Sequence, residues 1–345
     1  MWAKLAQVHL DAFLVYTKIN RQYLSGFTGS SGILLITKKD MHLFVDGRYA
    51  LRAKKETKVP VHPWKNVIYF VKSKKLKRLG IEDNVTLKDF YYLKKFIRNV
   101  SWIVTREAIE QIRAVKTDEE IKYLTQGSLV IDKVFLKLKA LLGRRRNVTE
   151  TELSLEIVSA GKQLGAEDVS FDPIVAFGPN AAIPHHLSSN TKIGKNNFLL
   201  LDYGFKVNGY HSDFTRTLFL GKPTAFHRKI YEIVLEAQNK SIAVTSVGAK
   251  ASDVDFAARD FIRSMKYGTY YPHNGGHGVG LEIHELPNFS INSSDILKED
   301  MVVTVEPGIY LPLKFGVRIE DMVVVGQKPK VMSKVPKNFD SMVIK

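Results

Sequence analysis

The feature of this chain that most constrains its fold is a hairpin signal between two aspartates. Asn208-Gly209 lies between β-forming residues, and Asn-Gly tolerates the positive φ angles that a type I′ turn needs at both central positions. A two-residue turn there pairs Asp202 with Thr215 and makes Asp213 the diagonal neighbour of Asp202 on the same face. Because diagonal cross-strand neighbours lie about 7–8 Å apart, the pattern brings both carboxylates within reach of one ion or of two adjacent ions.

The environment of Asp202 bears on how this pair is interpreted. Two solvated strand carboxylates would explain the pair alone equally well. However, Asp202 follows the apolar residues 198–201, a run that is typical of a buried strand. A buried carboxylate is usually paired with a cation or bound to a metal, so the run favours a metal site.

A second segment of chemical interest is Gly-Gly-His-Gly-Val-Gly at residues 275–280. The glycines around His277 let neighbouring backbone approach the imidazole, and they predict a tight loop. A lone histidine in such a loop is more often structural than functional. His284 follows nearby, but the spacing is not that of the helical His-Glu-x-x-His zinc motif.

Two further glutamates lie in or beside predicted strands near the C-terminus. Glu306 ends an apolar strand at the point where Pro307-Gly308 turns the chain. In the following predicted strand, Arg318 and Glu320 occupy one face. By itself this second pattern predicts no more than a buried ion pair.

Together these segments supply four carboxylates and one imidazole, from Asp202, Asp213, His277, Glu306 and Glu320. Four carboxylates at one place repel each other and resist ionisation unless cations neutralise them. Two divalent ions balance four negative charges, whereas one ion leaves half of them uncompensated. An oxygen-rich site with one imidazole suits Mn²⁺, Co²⁺, Zn²⁺ or Fe²⁺. Two such ions about 3.5–4 Å apart can activate water and polarise a carbonyl group.

The composition excludes several other kinds of site. The 345 residues include no cysteine, so the chain has no disulfide, thiolate metal site, iron–sulfur cluster or cysteine nucleophile. The hydrophobic fraction of 45% and the charged fraction of 25% are those of an ordinary globular protein. The N-terminus lacks the pattern of a secretory signal, and no run of about 18 apolar residues predicts a membrane span. We therefore expect a cytoplasmic protein with no membrane partner.

The order of predicted elements indicates two domains, which suits the chain length. Residues 1–112 alternate short apolar strands with helices, with a Gly/Ser-rich turn at residues 27–32, and form an α/β domain. Residues 113–345 begin with two helices that open on capping boxes at Thr117 and Thr149. They continue as strands, with two further helices at residues 224–241 and 252–267 before the last strands. The predicted fold class is therefore α+β, with the larger domain second.

Positive charge is concentrated in the N-terminal domain. The net charge of the chain is +16, and residues 1–110 carry 21 Lys and Arg against 9 Asp and Glu. Such asymmetry can indicate a nucleic-acid or membrane-binding module, to which the lysine-rich residues 71–78 would contribute. A solvated helix face explains those lysines more simply, so we do not expect nucleic acid to be a partner.

The order Asp, Asp, His, Glu, Glu resembles the metallopeptidase family of aminopeptidase P, prolidase, creatinase and methionine aminopeptidase. The resemblance rests on the contexts of the five residues, which are Leu-Asp-Tyr-Gly, Ser-Asp-Phe-Thr-Arg-Thr, Gly-Gly-His-Gly-Val-Gly, Val-Glu-Pro-Gly-Ile-Tyr and Gly-Val-Arg-Ile-Glu-Asp. Residues 20–32 and 43–49 are similar to the N-terminal domain of the proline-specific branch, so the resemblance covers essentially the whole chain. It implies a pita-bread catalytic domain preceded by a smaller creatinase/prolidase-like α/β domain.

The resemblance also implies how the metal-site residues divide their work. Asp202 would hold one divalent ion, and His277 and Glu306 would hold the other. Asp213 and Glu320 would bridge the two ions, of which Mn²⁺ is the expected kind. Glu306 would in addition act as the proton shuttle of the family.

Four other residues match family positions near the substrate. His185 and His284 would hydrogen-bond the substrate and its tetrahedral intermediate, a role that suits groups titrating near neutrality. Tyr310 and Arg318 would orient the carboxylates that bind metal.

Two more histidines are ambiguous. His186 follows His185 directly and is the less favoured of the two as the substrate histidine. His211 lies between the two aspartates and on their predicted face. Residue patterning leaves His211 open as a metal ligand, whereas the family pattern gives it no such role.

Within the family, the short interval from Glu306 to Glu320 and the added N-terminal domain resemble the Xaa-Pro branch. Prolidases often carry an arginine after the His-Glu-x-Pro segment that binds the dipeptide carboxylate, but here Asn288 and Phe289 follow it. We therefore favour an aminopeptidase P-like enzyme that acts on longer proline-containing peptides, with a prolidase as the alternative. The family also implies a homodimer. Because all five ligands are present, creatinase-like hydrolysis and a non-catalytic histone- or nucleic-acid-binding protein are remote alternatives.

Overall fold

The computed structural model describes residues 9–144 and 147–345. The chain forms two compact units, residues 1–113 and residues 114–345, and each has hydrophobic core clusters of its own. In the described ranges, no helix is both long and apolar enough to cross a membrane.

The N-terminal unit is built on a six-stranded mixed sheet with the strand order β4-β3-β2-β1-β5-β6. The central strand β1 runs antiparallel to β2 and parallel to β5. All four residues of β1 are buried, which explains why this strand is an unbroken apolar run in the sequence. The strands are β1 (Ala12–Val15), β2 (Ile33–Thr37), β3 (Met41–Val45), β4 (Val61–Pro63), β5 (Arg78–Glu82) and β6 (Ser101–Thr105).

Helices cover both faces of this sheet, so successive residues of β1 pack into different clusters. Phe13 packs with Ala53 of α2, whereas Leu14 packs with Val67 of α3 and Leu93 of α4. The helices are α1 (Lys18–Ser25), α2 (Ala50–Glu56), α3 (Asn66–Ser73), α4 (Leu87–Phe96) and α5 (Glu110–Arg113).

The lysine-rich residues 71–78 only partly match the expected helix face. They span the end of α3, a turn in which Lys75 has a φ of 53°, and the first residue of β5. Every lysine and arginine among them is exposed. The expectation that these cations are solvated is therefore confirmed, but the expectation that one helix presents them is wrong.

The C-terminal unit begins with the two predicted helices. Both capping boxes form: Thr117 and Glu120 exchange hydrogen bonds, as do Thr149 and Glu152. The helices are α6 (Asp118–Arg144), α7 (Glu150–Gln163), α8 (Ala225–Val244), α9 (Ala251–Ser264) and α10 (Phe339–Met342), with short 3₁₀ turns at Gly178–Ala182 and Gly268–Tyr270.

The strands of this unit form several small sheets, ordered β11-β10-β7, β20-β12-β9-β8, β14-β13-β15-β18-β19 and β16-β17. Their bounds are β7 (Asp168–Val169), β8 (Ile174–Phe177), β9 (Asn197–Asp202), β10 (Phe205–Val207), β11 (Tyr210–His211), β12 (Thr215–Leu220), β13 (Gly276–Gly278), β14 (Glu285–Phe289), β15 (Val302–Val305), β16 (Gly308–Leu311), β17 (Phe315–Arg318), β18 (Asp321–Val324), β19 (Lys330–Val331) and β20 (Val343–Ile344).

Several of these strands break where chemically active residues lie. β17 ends at Arg318 and β18 begins at Asp321, so the prediction of one strand containing Arg318 and Glu320 is wrong. The two strands belong to different sheets, and the chain passes between them at Glu320, which forms an isolated bridge with Thr215. The tight loop predicted around His277 is also wrong, because His277 lies in the short strand β13.

In the N-terminal unit, the Gly/Ser-rich turn at residues 27–32 is held by one buried guanidinium. Arg21, which is 1% exposed, donates to the carbonyl oxygens of Gly29 and Gly32 at 2.6 and 2.8 Å, and to that of Tyr16 at 2.9 Å. These carbonyls are removed from water, so without Arg21 they would lose their hydrogen-bond donors.

We expect Arg21→Leu to lower the free energy of unfolding of the N-terminal unit by about 2–4 kcal/mol, because buried carbonyls lose a charged donor. Chemical denaturation followed by tryptophan fluorescence measures this. Arg48→Leu is the matched control, since the Arg48 side chain is 80% exposed and pairs with Asp46; it should change stability by less than about 0.5 kcal/mol. Equal losses in the free energy of unfolding for Arg21→Leu and Arg48→Leu would show that Arg21 does not hold the turn.

Candidate active site

The hairpin register predicted from Asn208-Gly209 is confirmed. Val207 pairs with Tyr210 on either side of the turn, and Asp202 pairs with Thr215 farther along. Between these paired regions, residues 203–204 and 212–214 leave the regular ladder. A Cβ at Gly204 would collide with the carbonyl oxygen of Ser212, so only glycine allows the close approach that brings Asp202 and Asp213 together.

His277 is fixed by contacts of both its backbone and its ring. Its backbone N–H donates to Thr304 Oγ1 at 3.0 Å, and ring atom Nδ1 lies 3.0 Å from the carbonyl oxygen of Gly278. Because a carbonyl only accepts, Nδ1 carries the proton and the lone pair of Nε2 is free to bind a cation. Burial lowers the pKa of His277 to about 4, so the ring is neutral at pH 7.

The carboxylates converge on that ring. One potential ligand atom from each of Asp213, His277 and Glu320 lies within 4.8 Å of the other two. Nε2 of His277 lies 3.6 Å from Asp213 Oδ2 and 3.6 Å from Glu306 Oε1. Glu320 Oε2 accepts a hydrogen bond from Thr215 Oγ1 at 2.6 Å, which holds it at the end of the hairpin.

Crowding of these buried carboxylates raises their pKa values. Burial, followed by repulsion from neighbouring carboxylates, raises the pKa values of Asp213 and Glu320 well above their ordinary ranges. Burial also raises the pKa of Glu306 to about 7 and raises that of Asp202 despite the attraction of Arg318. The protein alone therefore does not supply enough positive charge for all four to ionise at pH 7.

A hydrogen-bonded chain extends outward from Asp202. Arg318 Nη2 donates to Asp202 Oδ2, and Arg318 Nη1 donates to Tyr310 Oη at 2.7 Å. The other carboxylate oxygen, Asp202 Oδ1, is buried and has no hydrogen-bond partner among the residues that the structure describes. An unpartnered carboxylate oxygen in a buried site is suited to a cation.

These observations fit a metal centre. Asp202 presents a free oxygen, and His277 presents a free imidazole nitrogen. Burial, and after it mutual repulsion, raises the pKa values of Asp213 and Glu320, and bound cations would relieve that repulsion. Oxygen atoms with one imidazole form a donor set for divalent ions of intermediate hardness. The sequence prediction placed all five residues at one site, and the structure brings all five into one cavity.

The cavity has a volume of about 770 Å³, which is large enough for a short peptide. Two of its lining residues are the predicted substrate histidines, His185 and His284. The His284 ring packs edge-on against His277, with 4.4 Å between ring centroids. Arg318 also lines the cavity, whereas Tyr310 reaches it through Arg318.

One histidine that lines this cavity, His273, was not predicted from the sequence. His273 Nε2 lies 2.8 Å from Tyr310 Oη, and its Nδ1 lies 2.8 Å from the carbonyl oxygen of Asn274. Burial lowers its pKa to about 3, so it too is neutral. Its position four residues before His277 was the available signal, but no rule of spacing identifies such a contact.

His186 and His211, the two histidines whose roles the sequence left open, lie outside the described metal-ligand cluster. His186 lines the cavity, but its Nε2 lies 2.8 Å from the buried carboxylate of Glu150. His211 is absent from the described residues that line the cavity and from the described metal-ligand cluster. Its backbone N–H donates to the carbonyl oxygen of Gly280 at 2.7 Å.

Comparison with known proteins decides the family. The family model for Metallopeptidase family M24 matches residues 122–327, and the model for the Creatinase/Prolidase N-terminal domain matches residues 2–115. The chain belongs to metallopeptidase family M24. The predicted fold, an α+β pita-bread catalytic domain preceded in the sequence by a smaller α/β domain, is confirmed by the family matches and by the solved structures described next.

Relatives and solved structures agree along almost the whole chain. The Xaa-Pro dipeptidase of Pyrococcus horikoshii is 35% identical over 322 residues, which cover 92% of this chain and 90% of that protein. The structure of the Xaa-Pro dipeptidase from Bacillus anthracis has a TM-score of 0.93 at 36% identity, covering 99% and 97% of the two chains. That of the X-Pro aminopeptidase from Thermotoga maritima has a TM-score of 0.89 at 32% identity, covering 97% and 98%.

We expect Mn²⁺ at about 100 times its Kd to raise the unfolding temperature of this M24 peptidase by about 5–10 °C, because the ion binds the folded state. Asp213→Asn should abolish most of this rise, and without metal the variant should unfold no earlier than the wild type, since a repelling charge is removed. Differential scanning calorimetry measures both effects.

Glu299→Gln is the control for this measurement, because Glu299 is an exposed carboxylate that does not line the cavity. It should keep the full metal-dependent rise. An Asp213→Asn protein that responds to Mn²⁺ like the Glu299→Gln protein would show that Asp213 does not hold the ion.

Proposed function

We propose that this protein is a metal-dependent Xaa-Pro peptidase that removes an N-terminal residue from peptides with proline in second position. The observation that carries the proposal is the convergence of four carboxylates, one imidazole and two further histidines in one peptide-sized cavity. A relative and a solved structure that each match over nine-tenths of the chain bear the names Xaa-Pro dipeptidase and X-Pro aminopeptidase.

Division of the metal ligands follows the family pattern. Asp202 would hold one ion, His277 and Glu306 the other, and Asp213 and Glu320 both. Such a pair of divalent ions supplies Lewis acidity and lowers the pKa of water. Oxygen-rich coordination favours Mn²⁺, with Co²⁺, Zn²⁺ or Fe²⁺ as alternatives.

The remaining polar residues would act on protons and on the substrate. Glu306, whose Oε1 lies 3.6 Å from Nε2 of His277, would take a proton and return it to the leaving amine, as the family resemblance implies. His185 and His284 line the cavity and would donate hydrogen bonds to the oxygen that becomes negatively charged as the amide is attacked. Tyr310 and Arg318 would keep the Asp202 carboxylate oriented.

The lining of the cavity supports action on longer peptides. Arg318 is the only lysine or arginine among the described residues that line it, and Arg318 is engaged by Asp202 and Tyr310. Asn288 lines the cavity, and with Phe289 it follows the His-Glu-x-Pro segment, after which prolidases often carry an arginine for the dipeptide carboxylate. Leu155 and Leu187, which are 64% and 83% exposed, also line the cavity, and such apolar surface suits the uncharged continuation of a peptide.

A prolidase is the alternative, and the names of several relatives favour it. In that case the dipeptide carboxylate would be bound by neutral donors or by a partner chain in the homodimer that the family resemblance implies. We propose, in addition, that residues 1–112 and 113–345 are the two domains.

We expect the Mn²⁺-loaded protein to cleave Xaa-Pro-Yaa tripeptides with a kcat/KM at least about tenfold above that for Xaa-Pro dipeptides, because a buried carboxylate without a cationic partner is costly to bind. Chromatographic product analysis at equal enzyme concentration measures the ratio. Faster cleavage of dipeptides would favour the prolidase alternative, and cleavage of neither substrate would refute the Xaa-Pro assignment.

The substitution Asn288→Arg should move the preference towards dipeptides. A guanidinium at this position can form a charge-assisted hydrogen bond with the dipeptide carboxylate, which is worth roughly 1.5–3 kcal/mol and hence a gain of about tenfold or more in kcat/KM. Asn292→Arg adds the same charge at an exposed position outside the cavity lining and is the control. A similar gain in both variants would indicate general electrostatic attraction and not a specific carboxylate contact.

A further inference from the structure

The ring of His185 is not fixed by a hydrogen bond of its own. In residues 9–144 and 147–345 it has no hydrogen-bond partner, and the residue is exposed towards the cavity. Its location therefore depends on the backbone that carries it. A ring that must meet a developing negative charge loses much of its effect if it is misplaced by as little as about 1 Å.

The backbone on either side of His185 is tied down. On one side, Arg318 Nη1 donates to the carbonyl oxygen of Pro184 at 3.4 Å. On the other side, His186 Nε2 lies 2.8 Å from Glu150 Oε2. The two neighbours of His185 in the sequence are thus attached to two different buried charged groups.

Glu150 binds more than His186. Its side chain is fully buried, and its oxygens accept from the backbone N–H of Phe177 at 2.8 Å and from Asn180 Nδ2 at 2.9 Å. They also accept from the backbone N–H of Ser189 at 3.1 Å and from Ser189 Oγ at 2.7 Å. One carboxylate therefore gathers donors from the beginning, the middle and the end of residues 177–189, the segment that contains His185.

The charge of Glu150 agrees with this role. Burial raises its pKa, but the hydrogen bonds from Asn180, Phe177, His186 and Ser189 outweigh burial and hold the pKa below its ordinary value. Glu150 is thus an ionised acceptor, and His186 must carry its proton on Nε2 to donate to it. The capping box of Thr149 places Glu150 in the first turn of α7, where a negative charge is favoured.

We propose that Glu150 and His186 are positioning residues, which act through the backbone of residues 177–189 to hold the His185 ring at the reacting amide. This inference rests on the proposed function, because His185 acts there as a hydrogen-bond donor. Glu150 is not among the described residues that line the cavity, and His186, which does line it, acts in this role through Glu150. The predicted loss on their substitution is therefore a loss of the contribution that His185 makes.

The test is a mutant cycle in the full-length, Mn²⁺-loaded protein with a Xaa-Pro-Yaa tripeptide. His186→Ala should lower kcat by about 10–100-fold with little change in KM, because a contact made in the transition state is lost. His186→Gln keeps a donor at the position of Nε2 and should restore kcat to within about threefold of the wild type. In a His185→Ala background, His186→Ala should cause no further loss.

Ser189→Ala is the matched control. It removes a hydrogen bond to the same oxygen of Glu150, but from a residue that is not adjacent to His185. Its kcat should stay within about threefold of the wild type, since the backbone N–H of Ser189 still donates to Glu150. Glu150→Gln, which turns one acceptor into a donor, should resemble His186→Ala if it folds.

The results separate this inference from the proposed function. The positioning role is refuted if adding His186→Ala to the His185→Ala protein lowers kcat further. It is also refuted if Ser189→Ala lowers kcat as much as His186→Ala does. Metal content should remain at the wild-type value in every variant. A crystal structure of the His186→Ala protein should show the His185 ring displaced, and an unmoved ring would overturn the inference even if the wild type cleaved no Xaa-Pro peptide and the proposed function failed.

Discussion

The structure of the C-terminal unit depends on the burial of like charges. Asp202, Asp213, Glu306 and Glu320 lie in one cavity, and burial raises the pKa of each. A folded chain tolerates such a cluster only if the rest of the structure holds it together against repulsion. The backbone is constrained accordingly: glycine is required at Gly204, and the ladder strands break on both sides of the hairpin turn.

Fixed positive charges behind the carboxylates complete this arrangement. Arg318 approaches Asp202 from one side, and the Arg216 side chain, only 1% exposed, approaches the far side of Glu320. Arg216 Nη1 donates to the carbonyl oxygen of Glu320 at 2.6 Å, and its Nη2 pairs with Asp321. Arg216 binds the backbone of Glu320 and the side chain of Asp321, and Arg318 binds Oδ2 of Asp202. Neither guanidinium therefore occupies Oδ1 of Asp202, which is left for a cation. Divalent ions would then provide the further positive charge that the four carboxylates need in order to ionise together.

Sequence patterns predicted those parts of the site that local rules control. Asn208-Gly209 fixes a two-residue turn, and a turn fixes register, so the pairing of Asp202 with Thr215 followed from the sequence. The breaks at residues 203–204 and at Glu320 did not follow, because they arise where the chain moves from one sheet to another. The contacts of His273 with Tyr310 and of His186 with Glu150 join residues 37 and 36 positions apart, and no local pattern reports such distances. Family resemblance, and not spacing, supplied the roles of His185 and Arg318.

The net charge shows why burial matters more than composition for this kind of prediction. Residues 1–110 carry 21 cations and 9 acidic residues, yet the lysines and arginines of the most basic run are all exposed. Exposed lysines interact with solvent and ions and place little constraint on the fold. In the net charge of the chain, each carboxylate of the C-terminal unit counts as one negative charge, although several are buried and have strongly raised pKa values. A charge count treats both groups alike, whereas the free energy of the molecule does not. The groups that define the chemistry of this chain are therefore the ones that a surface-charge argument would overlook.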